Sequence, residues 1–191
     1  MPALQPPTVD LQFSAPDFDL PDVSGRRVAI KDVRGDKGLL VMFICNHCPY
    51  VKAIIDRLVR DTRELAVHGV NSVAIMSNDA VNYPEDSLDN MRRLAQEKDF
   101  PFPYLYDENQ EVARAYGAIC TPDFFGFNRD LKLRFRGRLD ASRTTLVPEA
   151  RRELFEGMLH VAGTGEAPAQ RARSPPAIEN NRLLPNPGRR R

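Results

Sequence analysis

The apolar run from Leu39 to Ile44 leads directly into Cys45-Asn46-His47-Cys48-Pro49, and that junction constrains the chain more than any other stretch. A continuous apolar run of this length is too short for an ordinary helix and suits a central strand covered on both faces. Beyond it, Val51, Ile54, Ile55, Leu58, Val59 and Leu65 recur at helical spacing, with Gly69 as a left-handed stop after His68. Val70 to Met76 reads as a second buried strand. Strand, helix and strand at this spacing make a βαβ unit with parallel strands and a right-handed crossover. The cysteines then fall where a strand's carboxyl end meets a helix start, the usual address of sites in open α/β sheets.

The flanking segments extend this pattern. Between Phe18 and Ile30, two extended pieces around Asp22-Val23-Ser24-Gly25 predict a hairpin ahead of the sheet. Helices are expected over Ser87 to Lys98 and Glu108 to Tyr116, the latter with Asp107 capping, Gln110 reaching back and Gly117 ending it. Phe100 to Tyr106, with two prolines, reads as loop and short strand. After Cys120-Thr121-Pro122, the stretch Asp123 to Asn128 and the alternation of Leu131, Leu133 and Phe135 with Lys132, Arg134 and Arg136 predict an antiparallel hairpin with one buried face. Pro148 suits the first turn of a final helix that packs Leu154, Phe155, Met158 and Leu159 on the sheet. The pattern ends near Gly163. From Thr164 to Arg191 the chain is rich in proline and arginine and too poor in apolar residues for a core, so it is expected to be a disordered or surface-draped tail beside one domain over 1–163.

A net charge of +1 provides no whole-chain field for nucleic acid or an anionic membrane. No stretch approaches the ~20 apolar residues of a bilayer crossing, and the start has no signal-peptide pattern. A cytoplasmic setting is therefore expected. The odd count of three cysteines points to reactive or metal-binding thiols rather than structural disulfides.

Thiolate is the reactive form of cysteine, and a helix N-terminus favours it through unpaired N–H groups and the macrodipole. Pro49 fits a first helical turn, so the helix is expected to begin at about Asn46 with Cys45 at its mouth. Cys45 is then the expected nucleophile, and Cys48 the thiol that displaces a substrate held on it. A Cys48→Ser protein is thus expected to trap its target on Cys45. His47, between the two, would stabilise a thiolate and raise the reduction potential above thioredoxin's. The same Cys-x-x-Cys also suits half a zinc site, and Cys45, His47, Cys48 and Cys120 together make a possible set for zinc or cuprous copper. His68 and His160 suit helix ends, and Asn78-Asp79 suits a turn.

Three stretches together resemble the redoxin branch of the thioredoxin superfamily, related to alkyl hydroperoxide reductases and thiol-specific antioxidants. They are Ala15-Pro16-Asp17-Phe18-Asp19-Leu20-Pro21-Asp22, Val41 through Pro49, and Tyr116-Gly117-Ala118-Ile119-Cys120-Thr121-Pro122-Asp123. The resemblance covers about Phe13 to Ala162. It implies an α/β thioredoxin-like fold, with a central mixed sheet flanked by helices and an N-terminal hairpin. It also implies that Pro122 is cis and faces the cysteines, with Thr121 presenting backbone groups to an extended substrate. The implied activity is thiol–disulfide exchange without an organic cofactor or a resident metal. Its substrate would be a protein or small-molecule disulfide, with electrons from another thiol system.

Several residues depart from that pattern. Ile44 stands where thioredoxins place a tryptophan, and Leu39 where they bury an aspartate. His47, Lys52 and Asp123 are the candidate proton acceptors in its place. Peroxiredoxins share the resemblance and align their peroxidatic thiolate with Cys48, but Val41 and Cys45 replace their proline and threonine. Cys120 is a third redox partner, a metal ligand, or a small buried hydrophobe.

Overall fold

The chain enters through a hairpin, β1 (Asp19–Pro21) and β2 (Arg27–Ala29), followed by a single helical turn, α1 (Ile30–Val33). Asp22 closes the hairpin turn, its Oδ1 accepting the N–H groups of Ser24 at 2.8 Å and Arg26 at 3.0 Å. Gly25 takes the left-handed conformation there, with φ +87°. The computed structural model describes residues 10–142 and 144–169.

Strand β3 (Gly38–Phe43) is buried along its whole length. Leu40 and Met42 enter one core, and Leu39, Val41 and Phe43 enter another, because successive side chains on a strand point to opposite faces. The unbroken apolar run is thus the mark of a strand with protein on both sides. Helix α2 (Pro49–Val67) carries the chain to β4 (Val70–Met76), parallel to β3. Gly69 follows it in the left-handed region. A 3-10 turn (Pro84–Asp86) and α3 (Leu88–Glu97) lead to β5 (Tyr104–Tyr106), parallel to β4.

After α4 (Glu111–Tyr116), β6 (Asp123–Asn128) runs antiparallel to β3, and β7 (Leu133–Gly137) antiparallel to β6. The five strands lie in the order β5-β4-β3-β6-β7, a mixed sheet as expected. Helices α2 and α3 and the terminal α5 (Glu153–Thr164) supply one core. The hairpin, α1 and α4 supply the other.

Three details differ from expectation. Helix α4 starts at Glu111 because Gln110 adopts φ +60°, which no right-handed helix contains. Asp107 still accepts the Val112 and Ala113 N–H groups, at 3.3 and 2.9 Å, but Gln110 reaches across to the Ser77 carbonyl at 2.6 Å instead of backwards. The alternating burial expected of the β6–β7 hairpin holds only for β7; β6 is buried on both faces as the neighbour of β3. Pro148 does not open α5. Glu149 has φ +54°, which stops any helical turn begun at Pro148, and Arg152 docks on the buried Asp61 of α2 at 2.6 Å, so the helix starts at Glu153. The expected tail lies beyond residue 169 almost entirely outside the described residues.

Helix α5 sits on β6 and β7 through two glycines. A Cβ on Gly157 would lie 2.5 and 2.6 Å from ring carbons of Phe135, and one on Gly126 would run into Met158. Overpacking of this kind costs about 1–3 kcal/mol. Gly163, on the same helix, faces open space. Gly157→Ala should therefore lower the urea midpoint, whereas Gly163→Ala should leave it unchanged or raise it by up to ~1 kcal/mol of helix propensity. Equal effects from the two would refute this close approach.

Candidate functional site

Strand β3 ends at Phe43 and α2 begins at Pro49, so Ile44 to Cys48 form the link at the carboxyl end of the sheet. The helix does not begin at Asn46. Cys48 is its N-cap and Pro49 its first residue, where a proline loses no hydrogen bond and has the helical φ built in. What holds Asn46 and His47 out of the helix is a carboxylate: Asp86 Oδ1 accepts both of their backbone N–H groups, at 2.7 and 3.1 Å. The helix N-terminus thus belongs to Cys48, and Cys45 stands a loop away from it.

Asp86 is fully buried at the end of the 3-10 turn. Its Oδ2 lies 2.6 Å from His47 Nδ1 and accepts the Asn78 side-chain amide at 3.0 Å, so each carboxylate oxygen has two partners. The His47 ring stacks on Tyr83, with centroids 5.2 Å apart and planes at 14°. Asn46 is pinned from both ends: its Oδ1 accepts from the buried Tyr104 hydroxyl at 3.0 Å, and its Nδ2 donates to the Glu85 carbonyl at 2.9 Å. The redox loop is therefore held by polar contacts from the loop after β4 and from β5.

On its other side the loop meets Thr121. The Thr121–Pro122 bond is cis, as the resemblance implied. Thr121 Oγ1 lies 3.2 Å from Cys45 Sγ, and the Thr121 carbonyl is 3.3 Å from Cys48 Sγ. The two sulfurs are covered, Cys45 being 1 % and Cys48 2 % exposed.

The electrostatics of the pair follow from this placement. The Cys48 thiol is lowered to about 6, first by the hydrogen bond from Cys45 and then, against the cost of burial, by Thr121 and the first-turn N–H groups of Val51 and Tyr50. Cys45 is raised far above the ordinary thiol range, because it supplies the hydrogen bond to Cys48, is desolvated, and faces the Asp86 charge. These directions, a lowered Cys48 and a raised Cys45, run opposite to the order expected from sequence.

Of the candidate proton acceptors, His47 adjoins the pair. Lys52 is exposed in the first turn of α2, and Asp123 is tied to Arg136 at 2.9 Å. Cys120 is buried just before Thr121, its thiol pushed up to about 12, chiefly by burial and then by Asp123. It carries a proton at neutral pH. Asn78 and Asp79 divide the roles considered for them. Asn78 serves the site, whereas Asp79 Oδ1 accepts the Val81 N–H at 3.0 Å and shapes the turn.

One sulfur, nitrogen and oxygen atom from Cys45, His47 and Asp86 lie within 4.8 Å of one another, close enough for a metal ion. The expected set with Cys48 and Cys120 is not the one brought together. Because both Asp86 oxygens are committed to the loop, none of these residues is assigned as a ligand. A groove of about 600 Å³ lined by Asp17, Asp19, Arg27, Tyr106, Glu108 and Glu111 contains none of the cysteines. No helix among the described residues is long and apolar enough to cross a membrane.

The family model described as AhpC/TSA matches residues 12–136, nearly two thirds of the sequence and all of the site. The chain belongs to the AhpC/TSA family. Within curated proteins it is similar to the thiol-disulfide oxidoreductase ResA of Bacillus thuringiensis subsp. konkukian, with 27 % identity over 65 % of this chain and 68 % of that one. Of solved structures, an uncharacterized conserved protein of Geobacillus kaustophilus superposes with a TM-score of 0.86 at 42 % identity, covering 99 % of both chains. The thioredoxin domain of a Bacteroides vulgatus thiol-disulfide oxidoreductase superposes with a TM-score of 0.57 at 15 % identity, over 71 % of this chain and 91 % of that one. This last likeness confirms the thioredoxin-type fold of this AhpC/TSA chain.

Asp86, Tyr83 and Tyr104 were not singled out from the sequence. A signal for Asp86 existed. The polar loop Ser77 to Asp86 leaves the carboxyl end of β4, the strand beside β3, so its acids emerge at the same end of the sheet as the cysteines.

Proposed function

We propose that this AhpC/TSA protein is a thiol–disulfide oxidoreductase that works through a Cys45/Cys48 dithiol, with Cys48 as the attacking thiolate and Cys45 as the resolving thiol. The observation that carries this reading is the seating of the two sulfurs: Cys48 caps a long helix, Cys45 sits off its end, and both touch Thr121 beside the cis proline. The Cys48 thiolate attacks a substrate disulfide, forming a mixed disulfide and expelling one substrate sulfur as thiolate. The Cys45 sulfur then attacks Cys48 Sγ as its proton passes to a departing substrate sulfur. The protein is left with a Cys45–Cys48 disulfide, and the substrate gains two electrons and one proton, ending as one thiol and one thiolate. A separate thiol system restores the dithiol.

Thr121, next to the cis proline, is the proposed docking edge for an extended substrate segment, with Pro122 shaping it. Cys120 is assigned no step in the cycle. The cytoplasmic setting expected from the sequence belongs to the same proposal. Reduced protein should reduce insulin or a small aromatic disulfide while forming one internal disulfide identifiable by mass. The double Cys45→Ser, Cys48→Ser protein should do neither, and retained reduction by that variant would end the assignment.

A second reading, reduction of hydroperoxides, is favoured by one observation: Cys48 occupies a helix N-cap, the place where the resemblance aligns the peroxidatic thiolate. The arginine on β7 nearest the cis-proline loop, Arg136, is engaged with Asp123 and stacked over Phe125, 4.3 Å from its ring centroid. Consumption of hydroperoxide with a thiol donor, compared with disulfide reduction by the same preparation, separates the two.

A further inference from the structure

We propose that Asp86 is the positioning residue that decides which of the two active-site sulfurs keeps its proton: its buried carboxylate, set beside Cys45, confines the proton to Cys45 and leaves Cys48 as the attacking sulfur. The inference rests on the dithiol reading above and assigns to the loop after β4 the control of that chemistry.

Geometry carries it. Asp86 is fully buried, yet four donors hold its carboxylate, namely the Asn46 and His47 N–H groups, the Asn78 amide and His47 Nδ1. A carboxylate oxygen lies within 4.8 Å of Cys45 Sγ. A second negative charge on Cys45 would therefore form beside an existing one in a place with little solvent to screen it. Cys48 has the opposite surroundings, at the start of α2 with first-turn N–H groups close to its sulfur.

The charged and titratable groups facing Cys45 come from every element around it. They are Cys48 at the start of α2, His47 in the loop itself, Asp86 from the 3-10 turn and Tyr104 from β5. Tyr104 is buried with its hydroxyl donated to Asn46, and burial together with Cys45 and Asp86 keeps it protonated. His47 shares its Nδ1 with Asp86 and is partly open to solvent. Asp86 is therefore the lasting negative neighbour of Cys45. Thioredoxins place a buried aspartate at the strand position that Leu39 occupies here. In this chain the buried carboxylate comes from a different segment and bears on the other cysteine.

The test reads one sulfur at a time by the ultraviolet absorbance of its thiolate. In a Cys48→Ser, Cys120→Ser background Cys45 is the only thiol, and its titration is read as the difference from a protein with Cys45→Ser added, which carries the same five tyrosines. Adding Asp86→Asn, which keeps an oxygen for the two backbone N–H groups and removes the charge, should move that titration down by about one pH unit or more. Adding Asp86→Glu instead, which alters the shape but keeps the charge, should leave Cys45 titrating near its original pH. In the parallel Cys45→Ser, Cys120→Ser background, Cys48 should move much less. An unmoved Cys45, or equal shifts with Asn and Glu, would overturn the proposal, since a purely structural clamp treats both substitutions alike. Should the Asn variant not fold, carbon-13 NMR of the Asp86 carboxyl in the Cys48→Ser, Cys120→Ser protein decides. Its resonance should shift as Cys45 ionises, and a resonance indifferent to that titration refutes the coupling. None of these readouts depends on turnover, so a failure of the proposed activity remains a separate result.

Discussion

Cys45→Ser protein should hold its disulfide partner as a stable mixed disulfide on Cys48, and Cys48→Ser protein should scarcely capture one. The sequence suggested the reverse, and the start of α2 is what changes the expectation. With Cys45 in place the Cys48 thiol lies at about 6, below the ordinary value of about 8.5, and when Cys45 is replaced the Thr121 and first-turn N–H contributions that favour its thiolate remain. In Cys48→Ser protein the remaining sulfur is Cys45, which loses its bond to Cys48 but stays desolvated beside the Asp86 charge, both of which disfavour its thiolate. Capture by Cys48→Ser protein should therefore be much the weaker of the two. The measurement is mass spectrometry of each variant after exposure to oxidised partner, in a Cys120→Ser background so that the third thiol cannot exchange. A stable adduct on Cys45 in the Cys48→Ser protein, formed as readily as the one on Cys48, would restore the original order and remove the helix-cap argument.

The second large effect lies in the pH dependence of the dithiol's reduction potential. Below about pH 6 both sulfurs are protonated, and reduction consumes two protons with its two electrons. Above it Cys48 is ionised and only one proton is consumed. A tenfold change in equilibrium for a two-electron couple is 29.6 mV, so the potential should fall by about 59 mV per pH unit below the break and about 30 mV above it. Stability of the reduced protein follows the same titration. The folded-state value of Cys48 is depressed, so its contribution is fully present above the ordinary thiol value near 9 and is lost as pH falls through about 6. Cys45 is raised, so its contribution is fully present below the ordinary value near 9 and is lost progressively as pH rises above it. Across the window from 6 to 9 the reduced protein therefore gains stability with rising pH. A stabilised thiolate also favours the dithiol, so the potential at pH 7 should lie above thioredoxin's, about −270 mV. A single slope from pH 5 to 9, or a potential at or below thioredoxin's, would contradict the ionised Cys48.

Where burial alternates or runs unbroken, the architecture was legible from the residues. Leu39 to Ile44 could only be a strand covered on both faces, and the helical spacing from Val51 to Leu65 joined it to Val70 to Met76 in parallel. Boundaries were harder, because backbone twists and distant side chains set them. Gln110 and Glu149 take left-handed conformations that no propensity announces, and Arg152 stops at Asp61, 91 positions away in sequence. The site followed the same rule. Cys45, Cys48 and His47 carry their chemistry in their spacing, and the Thr121–Pro122 edge was implied by the family resemblance. The helix start depends instead on Asp86, whose bonds to Asn46 and His47 span about 40 residues of chain. Local signals placed Pro49 in the first turn correctly. They could not reveal that a remote carboxylate would take the two N–H groups before it.

The depth of the two sulfurs has a consequence for how fast such a protein can work. A nucleophile roofed over by its own loops strikes only what lifts the roof, so the frequency of that opening sets a ceiling on turnover, however reactive the thiolate beneath. A small disulfide or hydroperoxide must wait for the same opening as a large one. A partner able to bind along the Thr121 edge and prise the loops apart brings its own means of entry.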